Sequence, residues 1–260
     1  MDLPKIYIGT SGWHYQHWIG PFYPKKLEKK DMLKCYVQFL STTEINNSFY
    51  KLPDQNTFQN WAEQVPENFT FSVKASRYIT HMKKLKNPDN ALNNFLNGIK
   101  PLKNKLGAIL FQLPPYWKCN IERLKAFLEL LPSGKQYAFE FRNSSWWNDT
   151  VYDVLKASNT AFCIFDLAGV LSPIISTTDF IYIRLHGPND AYQGLYSEET
   201  LQEWADKIEK WIQQQKTVYC YFDNDQEGFA VKNALRLKQI LKDYLNNKLM
   251  YSWGYLKIFV

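Results

Sequence analysis

Phe180-Ile181-Tyr182-Ile183-Arg184-Leu185-His186 alternates strictly. Ile181, Ile183 and Leu185 form one set, and Tyr182, Arg184 and His186 the other. Successive side chains of a strand point to opposite faces, so this segment reads as a strand with one apolar and one ionisable face. Tyr137-Ala138-Phe139-Glu140-Phe141-Arg142 repeats the pattern, with Tyr137, Phe139 and Phe141 opposite Ala138, Glu140 and Arg142. In Phe69 to Lys74 the apolar Phe69, Phe71 and Val73 oppose Thr70, Ser72 and Lys74, and in Thr42 to Asn46 the polar Glu44 and Asn46 fall together. Helices must cover the apolar sets, which turns the charged sets toward a common interior.

Working outward, four more β-rich runs join these: Lys5 to Gly9, Leu106 to Gln112, Ala161 to Asp166 and Val218 to Asp223. Between the eight strands lie helical patterns at Asp31 to Leu40, Gln55 to Gln64, Ala91 to Leu102, Ile121 to Leu131, Asp149 to Ala157, Ser197 to Gln214 and Phe229 to Leu245. Only a short or irregular piece follows Asp166. Eight β-then-α units over 260 residues predict an α/β chain folded as a single (β/α)8 barrel spanning residues 1–245. Residues 246–260 do not fit the repeat and are left as a tail that covers the barrel bottom, joins a neighbouring subunit or is disordered.

Composition is that of a globular chain, 45% hydrophobic and 22% charged. The longest stretch free of Lys, Arg, Asp and Glu, Ile6 to Pro24, contains two His and three Gly, so no membrane span is expected. Four scattered cysteines without a C-x-x-C pair suit a reduced compartment, and a cytoplasmic location is the expectation. The net charge of +6 is concentrated between Lys74 and Lys105, where eight cations meet the single anion Asp89. That segment is either a solvated helix with its loops or a phosphate-binding face.

By parity, Gln112, Asp166 and Asp223 are expected to end their strands facing inward. Most inward polar residues occupy the last positions of a strand, which in a (β/α)8 barrel is the C-terminal mouth where catalytic groups sit. A structural alternative is a buried network in which Lys74, Arg142 and Arg184 interlock with Glu44, Asp166 and Asp223. Burying so many charges is costly even when they are paired, which favours function over filling. The expected catalytic set is Glu44, Glu140, Asp166 and His186, with Glu140 or Asp166 as base and His186 as acid. Lys74, Arg142 and Arg184 are expected to grip a carboxylate or phosphate. Trp13, Tyr50 and Trp146 supply aromatic faces at the rim, and Asn46, Gln112 and Asn224 complete the binding set. Gly9-Thr10-Ser11-Gly12 either aims backbone N–H groups at an anion or simply turns the chain. His14 and His17 offer a metal pair only if helical; no metal or cofactor is expected.

These motifs, taken in order, resemble a known family. Gly9-Thr10-Ser11-Gly12-Trp13, Thr43-Glu44-Ile45-Asn46, Phe71-Ser72-Val73-Lys74-Ala75 with Ile79-Thr80-His81, Phe111-Gln112-Leu113-Pro114-Pro115, Glu140-Phe141-Arg142 with Trp146, Arg184-Leu185-His186-Gly187 and Tyr221-Phe222-Asp223-Asn224-Asp225 are similar to those of the YecE-like family, a domain of unknown function. The resemblance runs from Ile6 to about Leu241 and implies a TIM-barrel-like fold; it brings no activity or catalytic assignment. Asp223 stands where Asn is expected in many relatives, and the tail has no counterpart. From the residues themselves, the expected function is general acid/base catalysis on a small polar substrate, anionic or sugar-like. Glu44 and Glu140 would be the carboxylate pair in a glycosidase variant. A metal-dependent hydrolase or isomerase, and a nucleic-acid-binding protein using the 74–105 segment, are the alternatives. The substrate and oligomeric state are not readable from the sequence.

Overall fold

The computed structural model describes residues 4–251. Eight parallel strands close into a barrel: β1 (Ile6–Thr10), β2 (Thr42–Ile45), β3 (Thr70–Lys74), β4 (Leu106–Leu113), β5 (Tyr137–Phe141), β6 (Ala161–Leu167), β7 (Phe180–Leu185) and β8 (Thr217–Phe222). Each pairs with its sequence neighbours. The circle closes where Ile6 to Thr10 pair with Val218 to Phe222. No edge is left open, as the barrel class requires.

The strands form where β-branched and aromatic residues cluster, and the helices start where a short polar side chain accepts the first free N–H groups. Asp54 caps α3 (Gln55–Gln64) through Thr57 N, Asn120 caps α5 (Ile121–Leu128) through Arg123 N, and Asn148 caps α6 (Asp149–Ala157) through Val151 N. Ser197 does the same for α7 (Glu198–Gln213). The remaining helices are α1 (Met32–Tyr36), α2 (Asn47–Tyr50), α4 (Asp89–Gly98) and α8 (Phe229–Tyr251). Between β6 and β7 there is no helix, only a two-residue strand, Val170–Leu171, folded back antiparallel on the end of β6.

Several boundaries differ from the sequence reading. The helix expected to run to Leu40 ends at Tyr36, and the one expected to run to Leu102 ends at Gly98, where a tight turn over Lys100–Lys105 takes over around Pro101. The short α2 and a five-residue π-type turn at Tyr78–Met82 carry too few residues to show a period. The last helix passes the expected end at Leu245 and reaches Tyr251, so the first part of the tail continues it. The rest of the tail, residues 252–260, lies outside the described residues.

Two layers fill the molecule. Ile6, Ile8, Phe71, Phe111, Phe139, Ile164, Ile183 and Phe222 join the helices in the outer core. Inside the barrel, Ala108, Leu110, Ala138, Ala161, Cys163, Phe180, Tyr182, Tyr219 and Tyr221 form a separate cluster. The Tyr221 hydroxyl lies 2.8 Å from Thr42 Oγ1 and 2.9 Å from Ser72 Oγ, closing the interior beneath the charged layer. Gly9 is required by this closure, because a Cβ there would lie 2.2 Å from the Thr42 carbonyl oxygen of the neighbouring strand.

Candidate active site

The inward residues at the C-terminal ends of β2, β5, β7 and β8 meet around one guanidinium. Arg184 is fully buried. Its Nε and Nη2 donate to Glu44 Oε1 at 3.1 and 2.7 Å, its Nη1 donates to Glu140 Oε2 at 2.8 Å, and Nη2 also reaches Asp223 Oδ2 at 3.0 Å. Glu44 in turn accepts from Ser11 Oγ at 2.8 Å and from the Tyr182 hydroxyl at 2.6 Å. Arg142 Nε donates to Glu140 Oε1, and its guanidinium carbon lies 5.2 Å from the Phe165 ring centre.

His186 completes the layer. Its Nδ1 lies 2.9 Å from Asp223 Oδ2, while Nε2 lies 3.0 Å from Arg142 Nη2 and 3.3 Å from Arg184 Nη1. Both arginine nitrogens can only donate, so Nε2 accepts and Nδ1 carries the proton toward Asp223. Burial, the largest influence on Glu140, raises its pKa. The guanidiniums of Arg142 and Arg184 more than offset this and hold its carboxyl well below the usual range. Asp223 behaves likewise: burial raises it, and Arg184 and the His186 hydrogen bond bring it below its ordinary value.

Lys74, at the end of β3, is the exception in this layer. It retains only 8% of its surface, and its Nζ stands 4.2 Å from the Phe49 ring centre. No hydrogen bond or ion pair to its amine is formed by the described residues. Burial, reinforced by Arg184, lowers its pKa to about 8, while Glu140, Asp223 and Glu44 act in the other direction from a distance. The π-type turn after β3 brings His81 to the same place, its ring edge-on to Phe49 at 5.0 Å and its Nδ1 2.9 Å from Thr80 Oγ1. Burial, then the nearby Lys74 and Arg77, lowers the pKa of His81 to about 4, so it is neutral at physiological pH.

The structure thus brings together Glu44, Lys74, Glu140, Arg142, Arg184 and His186, with Asn46 and Gln112 at the ends of their strands. The Asn46 Oδ1 and Gln112 Oε1 atoms are buried without a hydrogen-bond partner. Tyr50 is exposed beside Phe49. Other expectations are corrected. Asp166 shares the parity of Phe162 and Ile164, which belong to the outer core, so its carboxyl points away from the interior. Burial raises its pKa, partly offset by a hydrogen bond from Tyr196. Arg184 is saturated by three carboxylates and has no donor left for an external anion. Trp13 packs edge-on against Trp61 at 5.1 Å, and Trp146 is buried between Trp117 and Phe141, so neither indole forms the rim. Asn224 ties the loop after β7 to α8, its Nδ2 donating to Gly194 O and Asn233 Oδ1.

The Gly9 to Gly12 turn offers no anion nest, because Ser11 N and Gly12 N donate to Phe222 O and Thr10 O. His17 binds Asp225 and His14 stands against Trp13, so the two imidazoles have separate partners. The basic segment is not one surface either: Lys74 lies in the mouth, and Lys105 is buried with its amine on Ala62 O, Val65 O and Glu67. Residues to which the sequence reading gave no role are His81, Phe165 and Tyr192, whose ring stands edge-on to His186 at 5.6 Å. His81 was visible in the Ile79-Thr80-His81 motif, but Tyr192 lies on a loop without periodicity.

Among the described residues, no group of three His, Cys, Asp or Glu side chains is placed to hold a metal ion, and no helix is long and apolar enough to cross a membrane. Comparison with known proteins gives a consistent picture. The family model described as protein of unknown function DUF72 matches residues 7–251. The UPF0759 protein YunF of Bacillus subtilis is 26% identical, the match covering 91% of this chain and 94% of that one. A DUF72 family protein of Thermotoga maritima superposes with a TM-score of 0.84 at 31% identity, covering 92% of this chain and 99% of its own. A DUF72 family protein of Enterococcus faecalis shares the fold, with a TM-score of 0.79 at 22% identity, covering 91% of this chain and 95% of its own.

Proposed function

The chain belongs to the DUF72 family, and within that family we propose that it is an enzyme acting by proton transfer on a small hydroxylated, sugar-like substrate at the C-terminal mouth of the barrel. The observation that carries this reading is the division of labour among the buried charges. Glu44, Glu140 and Asp223 are consumed by Arg184, Arg142 and His186, which makes them a rigid floor. Lys74 is left as an amine on a largely buried side chain with no carboxylate of its own, and a pKa near 8 lets it give or take a proton at neutral pH.

Three consequences refine the chemistry. Glu140, held ionised between two arginines, is a poor base and serves as an anchor. Three cations face three carboxylates, so the mouth has no cationic excess to draw a highly charged anion. The amides of Asn46 and Gln112 offer donors and acceptors together, which is what hydroxyl groups need and what acceptor-only phosphate oxygens do not. A metal-dependent reaction would require Glu44, Glu140, Asp166 and His186 to surround an ion. Asp166 faces the other way, and the two glutamates already converge on a guanidinium.

Thermal denaturation with a panel of trioses to hexoses and their polyols tests the reading. At least one should raise the melting temperature of the parent protein at millimolar concentration and lose that effect in Gln112→Ala. Stabilisation by inorganic phosphate or sulfate, with none by any sugar or polyol, would refute it.

A further inference from the structure

Lys74 has the surroundings of a nucleophile as well as those of a base, and this step rests on the reading just given. Its side chain is largely buried at a strand end, and its amine has no hydrogen bond or ion pair among the described residues and sits over the Phe49 ring. The charged groups facing it are Arg184 on β7, Glu140 on β5, Asp223 after β8 and Glu44 on β2, with neutral His81 from the turn after β3. The carboxylates that would otherwise fix the amine as a permanent ammonium are occupied by Arg184. A lysine kept partly neutral by desolvation and a neighbouring cation is one that attacks carbonyl carbon.

We propose that Lys74 forms an imine with a small hydroxylated aldehyde or ketone bound in the barrel mouth. The Nζ lone pair adds to the carbonyl carbon, the C=O π pair moves to oxygen, and that oxygen takes the proton released by nitrogen. A second proton, from solvent, lets the hydroxyl leave as water as the C=N bond forms, giving the iminium. Its positive charge stands where the ammonium stood, over the Phe49 face and above the carboxylate-lined floor. Asn46 and Gln112 meet the hydroxyls of the carbonyl compound. The iminium then acts as an electron sink: a solvent water takes the proton of the adjacent carbon, the C–H pair forms a C=C bond, and the C=N π pair moves onto nitrogen to give the neutral enamine.

Reductive trapping tests this. The full-length protein is incubated at pH 7 with dihydroxyacetone and sodium cyanoborohydride, which reduces the iminium to a stable secondary amine, and the adducts are located by peptide mapping. The expected result is preferential labelling of Lys74, at least about tenfold faster than the average exposed lysine, since a pKa near 8 leaves far more free amine than one near 10.5. In Lys74→Arg that adduct disappears and the slow surface labelling is unchanged. Labelling of Lys74 at or below the surface average overturns the proposal. The same samples carry a second readout, protection of the melting temperature by erythritol, which cannot form an imine. If erythritol stabilises the protein and Lys74 is not labelled, the imine is wrong and the mouth reading stands. If neither occurs, the imine is wrong, and the mouth reading falls with it when no other sugar or polyol of the panel stabilises the protein.

Discussion

Arg184 and Lys74 enter the same layer of the barrel from neighbouring charges and have opposite fates. Arg184 satisfies three carboxylates, and its removal would leave Glu44, Glu140 and Asp223 buried without their shared cation. Arg184→Met is therefore expected to cost about 3–5 kcal/mol of stability, the usual penalty for breaking a buried ion pair from one side. Lys74 works against the fold. Its folded pKa is lowered to about 8 from 10.5, so the native state resists a proton that the unfolded chain accepts. The contribution is one of stability present above the unfolded pKa and lost as pH falls through the folded value. Relative to wild type, Lys74→Met should gain stability at pH 7, and that gain should shrink as pH rises from 8 toward 10.5. Urea denaturation of both variants across that range checks the pair; a Lys74→Met difference that does not vary with pH would contradict this assignment.

At the scale of elements, the strands and most helices were legible because their periods are long enough to read. Gln55–Gln64 and Asp149–Ala157 begin and end where their caps and apolar spacing place them. Asp166 shows where that reading fails. Polarity suggested an inward side chain, but on β6 the inward parity belongs to Ala161 and Cys163, small and uncharged residues that carry no polar signal. The indoles failed for a different reason: sequence shows that Trp13 and Trp146 follow strands, not whether a loop folds them under itself. The loop between β7 and α7 was similarly opaque, since side chains distant in sequence hold it. Asn233 Oδ1 accepts from Tyr196 N at 3.1 Å and from Asn224 Nδ2 at 3.0 Å, and Asn233 Nδ2 donates to Tyr196 O at 3.1 Å. Asn233→Ala should cost about 1–3 kcal/mol by leaving those buried groups unpaired. Hydrogen exchange at the Tyr196 amide and at the Gly187 amide, which donates to the Tyr196 hydroxyl at 3.0 Å, should accelerate in step; unchanged exchange would show that the loop is held elsewhere.

For the whole molecule, the eight-fold alternation of β and α patterns made the barrel readable before any coordinate, and parity located its polar mouth. What sequence could not supply was the pairing inside that mouth. Three cations and three carboxylates admit many matchings, and only geometry shows that Arg184 takes the carboxylates while Lys74 is left over. The functional reading rests on that leftover amine. Its most direct test is to follow the Lys74 side-chain resonances by NMR through a pH titration of lysine-labelled protein, assigned by their loss in Lys74→Arg. A midpoint near 8, set apart from the surface lysines, is the expected result. A midpoint near 10.5, shared with those surface lysines, would contradict the role given to Lys74.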